Sequence, residues 1–67
     1  MDDLEKLRML LPYWMKHNDE YAKTYKDWAE KMSSFGKKEL SEVLEVIHQE
    51  SQILRGVFQE AQRVVDT

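Results

Sequence analysis

Two histidines and the carboxylates beside them are the residues whose types and spacing could do chemistry. His17 has Glu20 three positions on, and Glu45 precedes His48 by three. Residues three or four apart share one face of a helix, and imidazole with carboxylate is a donor set for a divalent metal. His17, Glu20, Glu45 and His48 are therefore the candidate metal residues. Glu45-Val-Ile-His48 also matches the Glu-x-x-His unit of di-iron bundles, in which both residues point inward and further glutamates face them. Here the pair flanks the apolar spacing instead of lying on it, and the facing residues are aromatic. His48 could still join Glu45 or Gln52 in a site at the surface or between subunits. One turn either side of His17 stand Tyr13 and Tyr21, so that stretch offers a single good ligand. The plainer readings are stronger: His17 as a flanking side chain bonded to a neighbouring chain or to water, and Glu45 with His48 as an ordinary pair on a helix surface.

Other chemistries have less to stand on. The chain has no cysteine, which removes disulfides, thiolate metal sites and cysteine nucleophiles. No Ser/His/Asp constellation, no glycine-rich phosphate loop and no pair of inward carboxylates appears. No catalytic residue is assigned, and the expectation is a protein that is not an enzyme. A net charge of −3 speaks against general nucleic-acid binding, which needs a basic face to neutralise phosphates. The apolar run within MDDLEKLRMLLPYW is too short and interrupted for a signal peptide or a membrane span. A cytoplasmic location is the expectation.

The elements that must position these residues are helices. Sixty-seven residues, 34% of them charged, with two glycines and one proline, fit one small all-α domain. Asp2 or Asp3 can cap a first helix, with Asp2 and Glu5 as a capping box. Apolar residues then recur at alternating steps of three and four: Leu4, Leu7, Leu11, Trp14, Asn18, Tyr21, Tyr25, Trp28, Met32, Phe35. Pro12 falls beside this line and predicts a short or kinked helical segment before it. The main helix is expected over about 12–34. Asp19–Lys23 and Asp27–Lys31 are favourably ordered pairs on a solvated face. Phe35-Gly36 supplies the turn, with glycine suited to the left-handed position that closes a helix. A second helix is expected over about 37–65, along Leu40, Leu44, Ile47, Ser51, Leu54, Phe58, Ala61 and Val65, with Gly56 on its outer side.

Reversal at Gly36 makes the helices an antiparallel hairpin. If the two lines face each other, residue i meets residue 75 or 76 minus i, pairing Trp28 with Ile47, Tyr25 with Ser51, Tyr21 with Leu54 and Trp14 with Ala61. Leu4 and Leu7 would then overhang the end of the second helix. The stripes are also too wide for two helices to bury. Met15, Ala22 and Ala29 flank the first line, and Val43, Val46, Ile53, Val57 and Val64 flank the second. A homodimer closing into a four-helix bundle would cover them. Asn18 is the polar break in the aromatic line and is expected to fix register, as buried asparagines do in coiled coils. Trp14, Tyr21, Tyr25, Trp28, Val46, Ile53 and Val57 complete the expected interface.

The run L-P-Y-W-M-K-H-N-D-E-Y at 11–21, W-A-E-K-M at 28–32 and Gly36 together resemble a little-characterised family of small bacterial and archaeal helical-hairpin domains. Its pattern is L-x-H-W-x-x-H-N-x-x-H…W-A-x-K…G, followed by a long amphipathic helix. Leu11, Trp14, His17, Asn18, Trp28, Ala29, Lys31 and Gly36 match, and the resemblance covers Leu11 to about Val65. It implies the hairpin. Some members are attached to, or lie beside, small nickel-binding proteins, which implies a link to nickel. The family's first and third histidines fall at Tyr13 and Tyr21 here, so only His17 of that row is kept.

The function expected from these readings is a small non-enzymatic binding or accessory module acting through dimerisation and protein–protein contact. The alternative is a nickel- or zinc-handling accessory protein. A larger protein partner is a third reading, and it requires an apolar patch that dimerisation leaves open.

Overall fold

The helical spacing is realised as two long helices joined by a tight turn, in a computed structural model that describes residues 2–67. Helix α1 runs Asp3–Ser34 and helix α2 runs Lys38–Val65, and the two pack side by side as a hairpin. Among the described residues there is no strand, and no helix is long and apolar enough to cross a membrane.

Local chemistry explains where each helix starts and stops. Asp2 is extended and its Oδ1 accepts the Glu5 backbone N–H at 2.8 Å, satisfying one of the free donors of the first turn. At the other end Gly36 has φ +77°, and the Gly36 and Lys37 amides donate to the Ser33 and Met32 carbonyls. This six-to-one and five-to-two pattern closes the helix and sends the chain back within three residues. Helix α2 begins at Lys37 without a side-chain cap.

The segment before Pro12 is the first correction. It is not a separate helix: residues 3–11 are the opening turns of α1, which continues through the proline. Pro12 removes one N–H from the ladder and lies exposed, where water can serve the freed carbonyl of the preceding turn.

The second correction concerns register. Ala29 meets Ser41, Lys26 meets Glu45, Ala22 meets His48 and Asn18 meets Ser51, so paired residue numbers add to 69–71 and not to 75 or 76. A three-residue reversal between Ser34 and Lys38 leaves no slack for the longer offset. The overhang disappears with it. Leu4 and Leu7 share a groove with Ala61, Val64 and Val65, and Arg8 reaches the Val65 carbonyl and the Asp66 carboxylate.

The third correction is a rotation of both helices about their axes. The line withdrawn from water is Leu11, Met15, Asn18, Ala22, Tyr25, Ala29 and Met32 in α1, and Ser41, Leu44, His48, Ser51, Phe58 and Val65 in α2. Every second position has moved one residue on: Trp14 gives way to Met15, Tyr21 to Ala22, Trp28 to Ala29, and Ile47 to His48. Small residues at the contact let the helix backbones approach, and indoles between them would hold the backbones apart.

Candidate functional site

The polar side of the hairpin is where the helices are fastened to each other. Besides Arg8 at the open end, three side chains cross the contact and bond to backbone carbonyls of the other helix. Asn18 Nδ2 donates to the Ser51 carbonyl at 2.9 Å, Ser41 Oγ to Ala29 at 2.7 Å, and His48 Nδ1 to Ala22 at 2.8 Å. Reaching a helix carbonyl sideways requires close backbones, and Ala22 and Ala29 allow it because they carry only a methyl group. Ser51 is buried and returns its own hydroxyl to the Ile47 carbonyl at 3.0 Å. Ion pairs run beside these bonds. Lys26 Nζ meets Glu45 Oε1 at 2.7 Å, and Arg55 Nε donates to both oxygens of Asp19 at 3.0 and 3.2 Å. Hydrogen bonding to Glu45 raises the Lys26 pKa above its usual 10.5, with burial opposing and the charges of Glu45 and Glu30 assisting. Asp19 thus pairs across the hairpin and not with Lys23, and Lys31 lies 4.4 Å over the Trp28 ring.

The opposite side is apolar and open. Each residue displaced from the contact line stands one position before a contact residue: Trp14, Tyr21 and Trp28 on α1, and Leu40, Ile47 and Leu54 on α2. Running a right-handed helix backwards mirrors the order of its faces, so in an antiparallel pair both sets fall on the same side. All six are 40–58% exposed. By contrast, the buried apolar side chains among the described residues are Leu11, Ala22 and Ala29. Val43, Val57 and Val64 extend the open face along its α2 rim, while Val46 and Ile53 point outward from α2, and all five are exposed.

The four metal candidates are distributed over both sides. On the polar side, His48 gives its Nδ1–H to the Ala22 carbonyl, which can only accept, and Glu45 is engaged by Lys26. Both acquire structural work, which the sequence pattern did not signal. His17 lies on the outer rim of the apolar side, with Nδ1 3.6 Å from Glu20 Oε2 and its ring edge-on to Tyr13 at 4.4 Å. Among the described residues no three His, Asp or Glu side chains are grouped so as to hold a metal ion. The structure therefore keeps His17 with Glu20 and separates them from the Glu45–His48 pair.

Sequence reasoning missed Ser41 as an interhelical fastener. Its signal was a small polar residue just after the turn, opposite the small Ala29.

Comparison with known families places this architecture. A family model described as a domain of unknown function, DUF8180, matches residues 7–65. The chain belongs to that family, a small uncharacterised domain that here takes the form of a helical hairpin. No curated protein and no solved structure gives a significant match.

Proposed function

We propose that this chain is a non-enzymatic helical binding or accessory module whose working unit is a homodimer, formed when the apolar faces of two hairpins close into a four-helix bundle. The observation that carries the reading is the single-sided exposure of Trp14, Tyr21, Trp28, Leu40, Ile47 and Leu54. The hairpin is one helix layer thick, with Cα extents of 51 × 17 × 11 Å. Its broad face extends 51 by 17 Å, and the six exposed residues are spread along it and not gathered at one end. A second copy offers an identical face, and self-complementary contact is the usual basis of two-fold dimers. Val46 and Ile53, outward on α2, stay clear of that contact and are the surface a larger protein would use. Sedimentation equilibrium tests the reading: a dimer is expected at low micromolar concentration, and a folded monomer there overturns it.

The 3.6 Å approach of His17 to Glu20 favours metal handling as a second reading. These two side chains give one imidazole and one carboxylate, so nickel or zinc would need further donors from a second chain. Trp14, one turn from His17, is a built-in reporter. Titration with Ni²⁺ or Zn²⁺ that quenches wild type but not a His17→Ala variant supports this reading. Identical flat responses at tens of micromolar metal, a scale suited to an accessory site, remove it.

A further inference from the structure

We infer that the two hairpins pair with their turns at the same end, α1 of each against α2 of the other, and that His17 of one protomer meets Glu50 of its partner. The inference rests on the dimer reading above and specifies its geometry.

On α2 the open face and its rim read Leu40, Val43, Ile47, Glu50, Leu54, Val57, and Glu50 is the one charge inside that run. On α1 the corresponding run is Leu7, Leu10, Trp14, His17, Tyr21, with His17 as its one basic side chain. Both occupy the rim position of their helix, four residues before the next face residue. Both also lie near the middle. The midpoint of Asp3–Ser34 falls between residues 18 and 19, and that of Lys38–Val65 between 51 and 52. Contacting residues within the hairpin have numbers adding to 69–74, and 17 with 50 gives 67. Glu50 therefore stands at least two residues, roughly 3 Å or more, nearer the turn than the level of His17, on the opposite rim of the same face.

Two face-to-face arrangements bury that face fully. With turns at opposite ends, the two-fold axis crosses the middle of the face. It then sets Glu50 against the partner's Glu50 and His17 against the partner's His17. Like charges withdrawn together from water are costly, and such repulsion is a strong selector between packings. With turns at the same end, the axis runs along the hairpin. Each rim of α1 then runs along the partner's α2 rim: Leu10 falls near Val57, Thr24 near Val43, and His17 within side-chain reach of Glu50, each pair offset along the axis by a few ångströms, roughly two residues or more. With Nδ1 turned to Glu20, Nε2 can donate to the incoming carboxylate from the protonated ring, in which both nitrogens carry a hydrogen. An imidazole N–H to a carboxylate is a charge-assisted bond whether or not the ring is protonated.

The chain has no cysteine, so a single Ser34→Cys variant puts one spin label per protomer at the turn end. Same-end pairing gives a label separation of about 20–30 Å, set by helix spacings of 8–10 Å. Opposite-end pairing gives a separation comparable with the 51 Å length of the hairpin. A dimer with the long distance overturns the inference and leaves the dimer reading standing. A monomer by sedimentation overturns both. Glu50→Gln supplies an independent sign. Same-end pairing predicts a several-fold weaker dimer, through loss of the contact with His17. Opposite-end pairing predicts a tighter one, through relief of Glu50 against its copy, and that result would also reject the inference.

Discussion

The polar and apolar sides of this hairpin are built from the same two helices, yet they treat burial differently. On the polar side, small residues bring the backbones together, and Asn18, Ser41 and His48 bridge them by bonding to carbonyls. On the apolar side, indoles and aliphatic chains stand open to water. Hydrogen bonds to backbone carbonyls are directional and fix how the helices lie against each other. Their net contribution is only about 0.5–1.5 kcal/mol apiece. Apolar burial is non-directional and worth more, but a two-helix layer has no interior in which to collect it. One side sets geometry, and the other holds apolar surface that the hairpin itself does not bury.

Substitutions separate the two sides, and the largest effect is expected on the open face. Leu54→Glu places a charge in the middle of the proposed contact twice per dimer, forfeiting about 1.5–3 kcal/mol of burial in each chain. A rise of a hundredfold or more in the dimer dissociation constant should follow by sedimentation. An unchanged constant would show that the face is not the contact. Ala29→Leu probes the closed side. Ala29 is fully buried and its carbonyl accepts from Ser41, so forcing in three carbons should cost about 1–3 kcal/mol by overpacking. Thermal denaturation would register this as a clear fall in Tm.

Asn18→Leu should act more on uniqueness than on stability. The variant loses one interhelical bond to Ser51 and gains apolar contact, so Tm is expected to hold or rise while amide resonances of both helices broaden. A lower Tm with sharp resonances would count against the register role. The smallest effect is at Lys26. Its raised pKa means that the Glu45 contact stabilises the fold below the ordinary lysine value of 10.5 wherever Glu45 is ionised, and is lost as pH rises through the raised value. The Tm difference between wild type and Lys26→Met should therefore shrink as pH rises past 10.5. A constant difference would assign the lysine's contribution to its apolar stem.

Much of the fold was legible in the chain. The three-and-four spacing, Asp2 with Glu5 and the Phe35-Gly36 turn specify two antiparallel helices, because propensity and capping act within a few residues. The width of the stripes also announced a surface that two helices do not bury. Which residues fill the contact was less legible. Hydrophobicity points to Trp14, Tyr21 and Trp28, but packing chose the neighbouring Met15, Ala22 and Ala29. Spacing counts apolar character and is blind to how near two backbones must come. The candidate site shows the same divide. His48 reads as a ligand in sequence and acts as an interhelical donor, because the Ala22 carbonyl that captures it is 26 residues away.

By itself, then, the sequence determined the two helices, the turn between them and the excess of apolar surface. These follow from local periodicity and capping. The tertiary structure decided the register, the rotation of each helix about its axis and the gathering of Trp14, Tyr21, Trp28, Leu40, Ile47 and Leu54 on one side. A tight turn and close backbone approach set those features, and they depend on the shapes of residues far apart in the chain. His17 changed standing in the same way: a lone histidine in the sequence, it comes to the rim of the open face, across from the α2 rim that carries Glu50, only once the hairpin has closed.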